Sequence, residues 1–487
     1  MRSGTANRVC LTACVLILTV LVGRLIAAES VHTLGSAPAP VDNPLKGLVP
    51  YSGDKRGSFP HSLEFNTLPY SALVKGYDDF DWQPLEALLD DIASRGHQAV
   101  LRIYLEYPGR TGVIPEFLIE DGLKIHAYLN TNTDPFPPAL VETPDYEDQN
   151  LRRSLKNFIN AFGRKYDGDP RLGFITAGLL GTWGEWHTYP RSELFASKAV
   201  QIEVMEAYEA AFKLTPVLLR YPAGDDTFQK AKNADRPFGY HDDSFAWATL
   251  HTGKDGDEWF FMTALAAAGA DAEAKWKTEP IGGEIRPEAW GKVFDERPGD
   301  PAIQDIRTCV ETTHASWLLD SGMFETPPNG HRVRRAEAIV RAMGYDFHCP
   351  KVIIGAVAAG TVSVRLEIVN RGVAPFYSDW KGEWGLLSDG RVARTAECSG
   401  TLLGLLPGDE PRAWTGALDV QGLRAGTYTL AVRVPNPLPM GKPLRFANAT
   451  QDADVPGWLS LGPVQIPEEE ARVSPAIGLL ESDRRGP

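Results

Sequence analysis

Between residue 45 and about residue 345, short apolar runs alternate with stretches whose apolar positions recur three and four residues apart. The runs are LKGLVPY (45–51), HSLEFNTLPY (61–70), QAVLRIYLEY (98–107) and GFITAGLLG (173–181), then TPVLLRYP (215–222), PFGYHDDSF (237–245), EPIGGEIRP (279–287) and HASWLLDS (314–321). Their length and apolar content predict buried strands. Leu85, Leu88, Leu89 and Ile92 mark one amphipathic helix, and Leu151, Leu155, Phe158, Ile159 and Phe162 mark another. A third, rich in helix formers, runs from Val200 to Phe212. Strands that alternate with helices need right-handed crossovers and a parallel sheet. Eight strands over roughly 300 residues suit a (β/α)8 TIM barrel. The first crossover, through SGDKRGSFP, is too short and Gly-rich for a good helix.

Past RRAEAIVRAMGYDFHCP the period changes. KVIIGAVAAGTVSVRLEIVNRG and AGTYTLAVRVPNPL alternate β-branched and small residues between turn formers, without helical periodicity. The fold class is therefore α/β, a TIM barrel followed by a C-terminal antiparallel β-sandwich. The expected divisions are a signal peptide at 1–28, the barrel at 29–345, the sandwich at 346–467 and a charged, frayed tail at 468–487. No internal repeat is evident.

The N-terminus changes the picture of where the protein works. Arg2 and Arg8 precede an apolar run from Val9 to Gly23, and small residues follow around Ala27 and Ala28, the order of a secretory signal peptide. Arg24 interrupts the run, which falls short of the ~20 apolar residues of a membrane span. The reading is export with no membrane insertion after cleavage. A net charge of −14 argues against nucleic acid as a partner. Beyond the signal, only Cys309, Cys349 and Cys398 remain, so at most one disulfide forms, with Cys349–Cys398 as the expected pair. No Cys or His spacing suggests a zinc site, and no cofactor is expected.

Barrel active sites are built where strands end. Glu185 follows the fourth strand inside GLLGTWGEWH (178–187), and Glu284 ends the seventh in PIGGEIR. Strands four and seven face each other across the barrel, so both glutamates can enter one cleft, the minimum equipment for cleaving a glycosidic bond. Desolvation beside Trp183 and Trp186 suits Glu185 to the acid role, while nearby Arg286 favours an ionised Glu284 as nucleophile. Glu106 is either a cleft residue or a partner of Arg102 or Arg220. Tyr104, Tyr107 and Trp317 are candidates to stack on sugar, and His187, Arg220, His241 and Asp242 to bind hydroxyls. Two other classes stay open. His241, Asp242 and Asp243 could hold a metal, as in barrel-type deacetylases or other metal-dependent hydrolases. The chain could also be a non-catalytic carbohydrate-binding surface protein.

The segment YEDQNLRRSLKNFINAFGRKYDGDPRLGFITAGLLGTWGEWH resembles the helix-to-fourth-strand region of clan A glycoside hydrolases, the 4/7 superfamily. That resemblance implies a TIM barrel and a retaining double displacement, with Glu185 as acid/base and Glu284 as nucleophile. One departure stands out: the clan carries Asn before the acid/base, where it binds the substrate 2-hydroxyl, and this chain has Gly184. NPLKGLVPY, SLEFNTLPYSAL, PIGGEIRPE and NRGVAPFYSDW also resemble an exported bacterial family whose C-terminal part is a domain of unknown function (4832). That family implies an architecture and no reaction.

Overall fold

The computed structural model describes residues 29–53, 59–131, 137–325 and 329–468. The expected signal peptide and nearly all of the expected tail lie outside them. All eight anticipated staves are present: β1 (Gly47–Val49), β2 (Leu63–Pro69), β3 (Gln98–Tyr104), β4 (Leu172–Thr176), β5 (Val217–Leu219), β6 (Gly239–Phe245), β7 (Ile281–Ile285) and β8 (Ala315–Leu319). They pair in parallel in the order β1-β8-β7-β6-β5-β4-β3-β2. A parallel bridge between Tyr51 and Phe65 closes the ring, with Phe65 N–H on Pro50 O and Ser52 N–H on Phe65 O, both at 2.8 Å. The three anticipated helices are α1 (Gln83–Ser94), α2 (Gln149–Tyr166) and α3 (Lys198–Ala211). Their apolar stripes, among them Leu85, Leu89, Ile92, Leu155, Phe158 and Val204, are buried against the outer face of the staves.

Alternation along each stave sorts the barrel interior into layers. Val49, Leu63, Phe65, Val100, Phe174, Leu218 and Trp317 form an apolar floor. Two residues further along, β3 carries Arg102 and β4 carries Thr176, while Arg220 comes just after β5. On β6 and β7 the step runs from His241 to Asp243 and from Gly282 to Glu284. Gly282 is dictated by this packing: a Cβ there would fall 2.1 Å from the Trp317 indole that fills the barrel.

Two four-stranded antiparallel sheets make the sandwich. One contains β9 (Phe347–Ile354), β10 (Thr361–Asn370) and Arg412–Asp419; the other contains Lys381–Ser388, Arg391–Thr401, Gly426–Arg433 and Leu459–Ile466. Trp384 and Trp414, both fully buried between the sheets, meet edge-on at 6.5 Å. The fourth strand of the first sheet is Ser30–Thr33, which pairs with β9. The barrel therefore does not begin at residue 29, and the start of the described chain belongs to the sandwich.

The sandwich docks on the end of the barrel where the staves begin. Lys46, just before β1, donates to Tyr345 O at 2.6 Å. His314, just before β8, faces Val373 O and stacks on Trp276 at 3.6 Å. Gly96, before β3, lies so close to Met440 O that a Cβ would be 2.4 Å from it.

Two expectations, the length of the fourth stave and the disulfide, need correction, and one connection gains structure. The fourth stave stops at Thr176 rather than residue 181, because Gly178 and Gly181 let the chain fold back on itself. A hairpin, Ile125–Asn130 with Ala139–Pro144, occupies the connection after β3. Cys349 and Cys398 are buried free thiols on different sheets, as Cys309 is within the barrel domain. Alkylation in guanidinium without reductant, read by mass spectrometry, should label all three; a crosslinked Cys349–Cys398 peptide would contradict this arrangement.

Candidate active site

Arg102 organises the polar layer. Its guanidinium lies 5.2 Å from the Phe65 ring centroid, and its Nε donates to Thr176 Oγ1 at 3.1 Å. Nη1 is 3.3 Å from Glu185 Oε1, and Nη2 is 3.8 Å from Glu284 Oε2. Nη2 also points at His241 Nε2, 3.4 Å away. An arginine can only donate, so that ring nitrogen accepts and the imidazole proton sits on Nδ1. Burial and the cationic Arg102 hold His241 well below the usual histidine range. A second ion pair, Arg220 Nε to Asp243 Oδ2 at 2.5 Å, lies alongside.

Glu185 comes into this layer on a folded loop rather than a stave. Thr182 N–H bonds His187 O at 2.7 Å, and Trp186 N–H bonds Leu180 O at 3.0 Å. Trp183 and Trp186 adopt φ of 54° and 58°, a strained left-handed backbone for large side chains. Three anchors hold them. Trp186 Nε1 donates to Ala177 O at 2.6 Å, Lys230 Nζ donates to Trp186 O, and Gly181 N–H donates to the Tyr146 hydroxyl at 2.7 Å. Tyr146 in turn donates to buried Glu106, whose other oxygen accepts from Thr143 of the hairpin. Burial raises Glu106 to about 7 despite those donors.

Burial also raises both facing glutamates. For Glu185 the nearby charge of Asp243 adds to the effect, while His187 and Arg102 oppose it. Glu284 is pushed up to about 8, with Arg102 opposing burial and the charges of Glu185 and Asp243 reinforcing it. Both groups are thus shifted towards their protonated forms beside the one guanidinium of Arg102. Asp243 behaves differently: burial works against its charge, but Arg220 overcomes this and holds the carboxyl below its usual range.

The predicted residues divide accordingly. Glu185, Glu284, His187, His241 and Arg220 share the polar layer. Trp186, Tyr104 and Trp317 are at most 3% exposed and offer no face to a sugar. Trp186 packs under its own loop, Tyr104 accepts from Arg110 at 2.7 Å, and Trp317 lies on the barrel floor. Glu106 is enclosed by Thr143 and Tyr146 and pairs with neither Arg102 nor Arg220. Arg286 engages Glu288 at 3.1 Å, so it is Arg102 that faces Glu284. Trp183, Tyr51, Tyr107 and Trp290 stay partly exposed. Tyr51 feels the charge of Glu284 and meets Trp290 edge-on at 6.4 Å. Sequence reasoning missed Tyr51, Trp290 and the positions of Arg102 and Asp243. Extending the two-residue alternation from Val100 and His241 would have found the last two.

The same alternation divides His241-Asp242-Asp243. Asp242 faces outward, accepting from Ser244 N–H at 3.0 Å and Thr249 Oγ1 at 2.7 Å, so the three cannot ligate one ion. Glu185, His187 and Asp243 do bring ligand-type atoms within 4.8 Å of one another. However, Tyr189 N–H donates to His187 Nδ1 at 3.2 Å. The ring proton therefore sits on Nε2, which faces Glu185 Oε2 at 3.6 Å and has no lone pair for a metal.

Two substitutions test the loop. A Cβ on Gly184 would lie 2.5 Å from Gly178 O at φ +75°, so Gly184→Asn should cost about 1–3 kcal/mol and lower kcat rather than restore a hydroxyl contact. Tyr146→Phe leaves the Gly181 N–H without its acceptor. It should cost about 1–3 kcal/mol by chemical denaturation, with a fall in kcat through loss of Glu185 placement.

No protein-family model and no curated protein sequence matches the chain. Among solved structures it is similar to endo-glycoceramidase II from Rhodococcus sp. in complex with a five-membered iminocyclitol, at 10% identity and TM-score 0.37, over 79% of this chain and 99% of that one. It is also similar to the Pseudomonas stutzeri endoglucanase Cel5A in complex with cellobiose, at 11% identity and TM-score 0.35, over 63% and 95%. Likeness at this level is slight, and the barrel architecture rests on the strand order itself.

Proposed function

We propose that the chain is an exported glycoside hydrolase that cleaves a poly- or oligosaccharide by retaining double displacement. The observation that carries this reading is one buried guanidinium contacting two glutamates, Glu185 from the loop after β4 and Glu284 from β7, whose protonated forms burial favours. Such a pair supplies both forms the reaction needs: an acid for the leaving oxygen and an anion for the anomeric carbon. Following the clan A resemblance, Glu185 protonates the departing oxygen while Glu284 attacks the anomeric carbon in its ionised form, which in the free enzyme is the minor form below about pH 8. The resulting glycosyl ester is then hydrolysed by water that Glu185 deprotonates. A retaining enzyme holds its carboxyls about 5–5.5 Å apart and an inverting one about 6.5–9.5 Å. Contact with a single guanidinium favours the shorter spacing. Partly exposed Tyr51, Tyr107, Trp183 and Trp290 suit the flat faces of sugar rings. Export rests on the N-terminal pattern alone. The sandwich, docked at the far end of the barrel, is given a structural role.

Glu185→Gln and Glu284→Gln should each lower kcat/KM on a hydrolysed glycoside by about 10³-fold or more. With the alanine variants, azide should yield a glycosyl azide of inverted configuration for Glu284→Ala and of retained configuration for Glu185→Ala. Normal turnover by either Gln variant would refute the assignment. Stability supplies a separate check. Each single Gln variant leaves one carboxylate to pair with Arg102, so thermal unfolding should shift little. The double variant strands a buried cation and should lose about 3 kcal/mol or more.

A further inference from the structure

Three acidic side chains, not two, meet in the polar layer. Asp243 Oδ2 is locked to Arg220 Nε at 2.5 Å, and its side chain is 8% exposed. A carboxylate oxygen of Asp243 lies within 4.8 Å of both Glu185 and His187. Arg220 is 2% exposed at its side chain, and its plane covers the Tyr221 ring at 4.1 Å, so the ion pair is fixed against a wall. Asp243 Oδ1 and Arg220 Nη1 have no hydrogen-bond partner among the described residues. The main counter-charge of Asp243 is therefore the Arg220 guanidinium, with smaller contributions from His187 and His241.

We infer that Asp243 is a positioning residue for the proton of the reaction: its fixed negative charge, anchored by Arg220, keeps Glu185 loaded as the acid. This rests on the glycosidase reading above. The groups facing Glu185 are Arg102 and His187, which favour its anion, Asp243, which favours its acid and that of Glu284 too, and the phenols of Tyr51, Tyr107 and Tyr221. Burial favours the acid form of Glu185, Arg102 and His187 oppose it, and the charge of Asp243 adds to burial. Asp243 offsets them without touching the substrate. During the first step the proton moves from Glu185 to the glycosidic oxygen as that bond breaks, and Asp243 stays ionised throughout. Loss of the proton from Glu185 has the expected chemical signature of mattering only when the leaving group needs a proton.

The test uses the wild-type chain and Asp243→Asn on phenyl and 2,4-dinitrophenyl glycosides of a sugar that the wild type hydrolyses. At about 5 Å and the effective dielectric of a protein interior, loss of one charge should move the alkaline limb of kcat/KM about one to two pH units towards acid. The phenyl glycoside should then lose at least about tenfold in kcat at pH 7, and the dinitrophenyl glycoside no more than a few fold. Arg220→Lys keeps Asp243 charged behind a weaker shield, and should leave the limb in place or move it to higher pH. It carries the test alone should Asp243→Asn not fold. Equal losses on the two substrates, an unmoved limb in Asp243→Asn, or an acidward shift in Arg220→Lys would each overturn the inference. A wild type that hydrolyses none of the glycosides would instead remove the glycosidase reading.

Discussion

A guanidinium 4% exposed inside a barrel has to find counter-charge from within, and the rest of the site follows from how Arg102 does so. Stranding such a cation costs about 3–5 kcal/mol, so the fold is committed to delivering carboxylates to it. They come from opposite staves, because only residues at the polar level of the interior can reach its two ends. Charge balance then limits the number of anions. Arg102 faces the two glutamates and Arg220 faces Asp243, so two cations are buried among three carboxyls, and burial favours the protonated form of both glutamates.

That arrangement needs a dry floor. Below it the interior is filled by Val100, Phe174, Leu218 and Trp317, continuous with the core that links barrel to sandwich through Tyr345 and Phe347. The apolar floor keeps water from beneath the ion pairs, and desolvation is the first cause of the raised values at both Glu185 and Glu284. Function and stability therefore occupy opposite ends of the same barrel. The ends where staves stop carry charge; the ends where they start are sealed by the second domain. Gly282 joins the two ends, since its missing side chain admits the Trp317 indole two residues below Glu284.

Much of this was legible in the sequence for a simple reason. Buried parallel staves must be apolar runs, and eight runs punctuated by turn residues leave few alternatives to a barrel. Glu185 and Glu284 stood out as charges at the ends of such runs. What could not be read is chiefly what depends on long-range or unusual backbone. Nothing local indicates that Trp186 turns under its loop at positive φ instead of flanking the cleft. Nothing near Ser30 announces a strand for a sheet more than 300 residues away. The pairing of Arg102 was within reach but was tied to Glu106, four residues along β3. That spacing looks favourable, yet Glu106 lies beyond the stave, where Thr143 and Tyr146 enclose it.

The backbone around Gly184 explains why no side chain stands before Glu185. In a hydrolase whose acid/base ends a stave, the preceding residue projects beside it and can contact substrate. Here β4 stops at Thr176, and the chain spends ten residues folding back before it reaches the cleft at His187. Residue 184 is at the tight point of that fold, pressed on Gly178, where no side chain fits. Glu185 is consequently held by a loop, and a loop holds a carboxyl only as well as its anchors do. Tyr146, Lys230 and the Trp186 indole supply them from the turn between the hairpin and α2, from the β5 connection and from the loop itself. Orientation that a stave would give for free is obtained through buried hydrogen bonds. Glu106, a residue that never meets substrate, is thereby tied to the placement of the one that would.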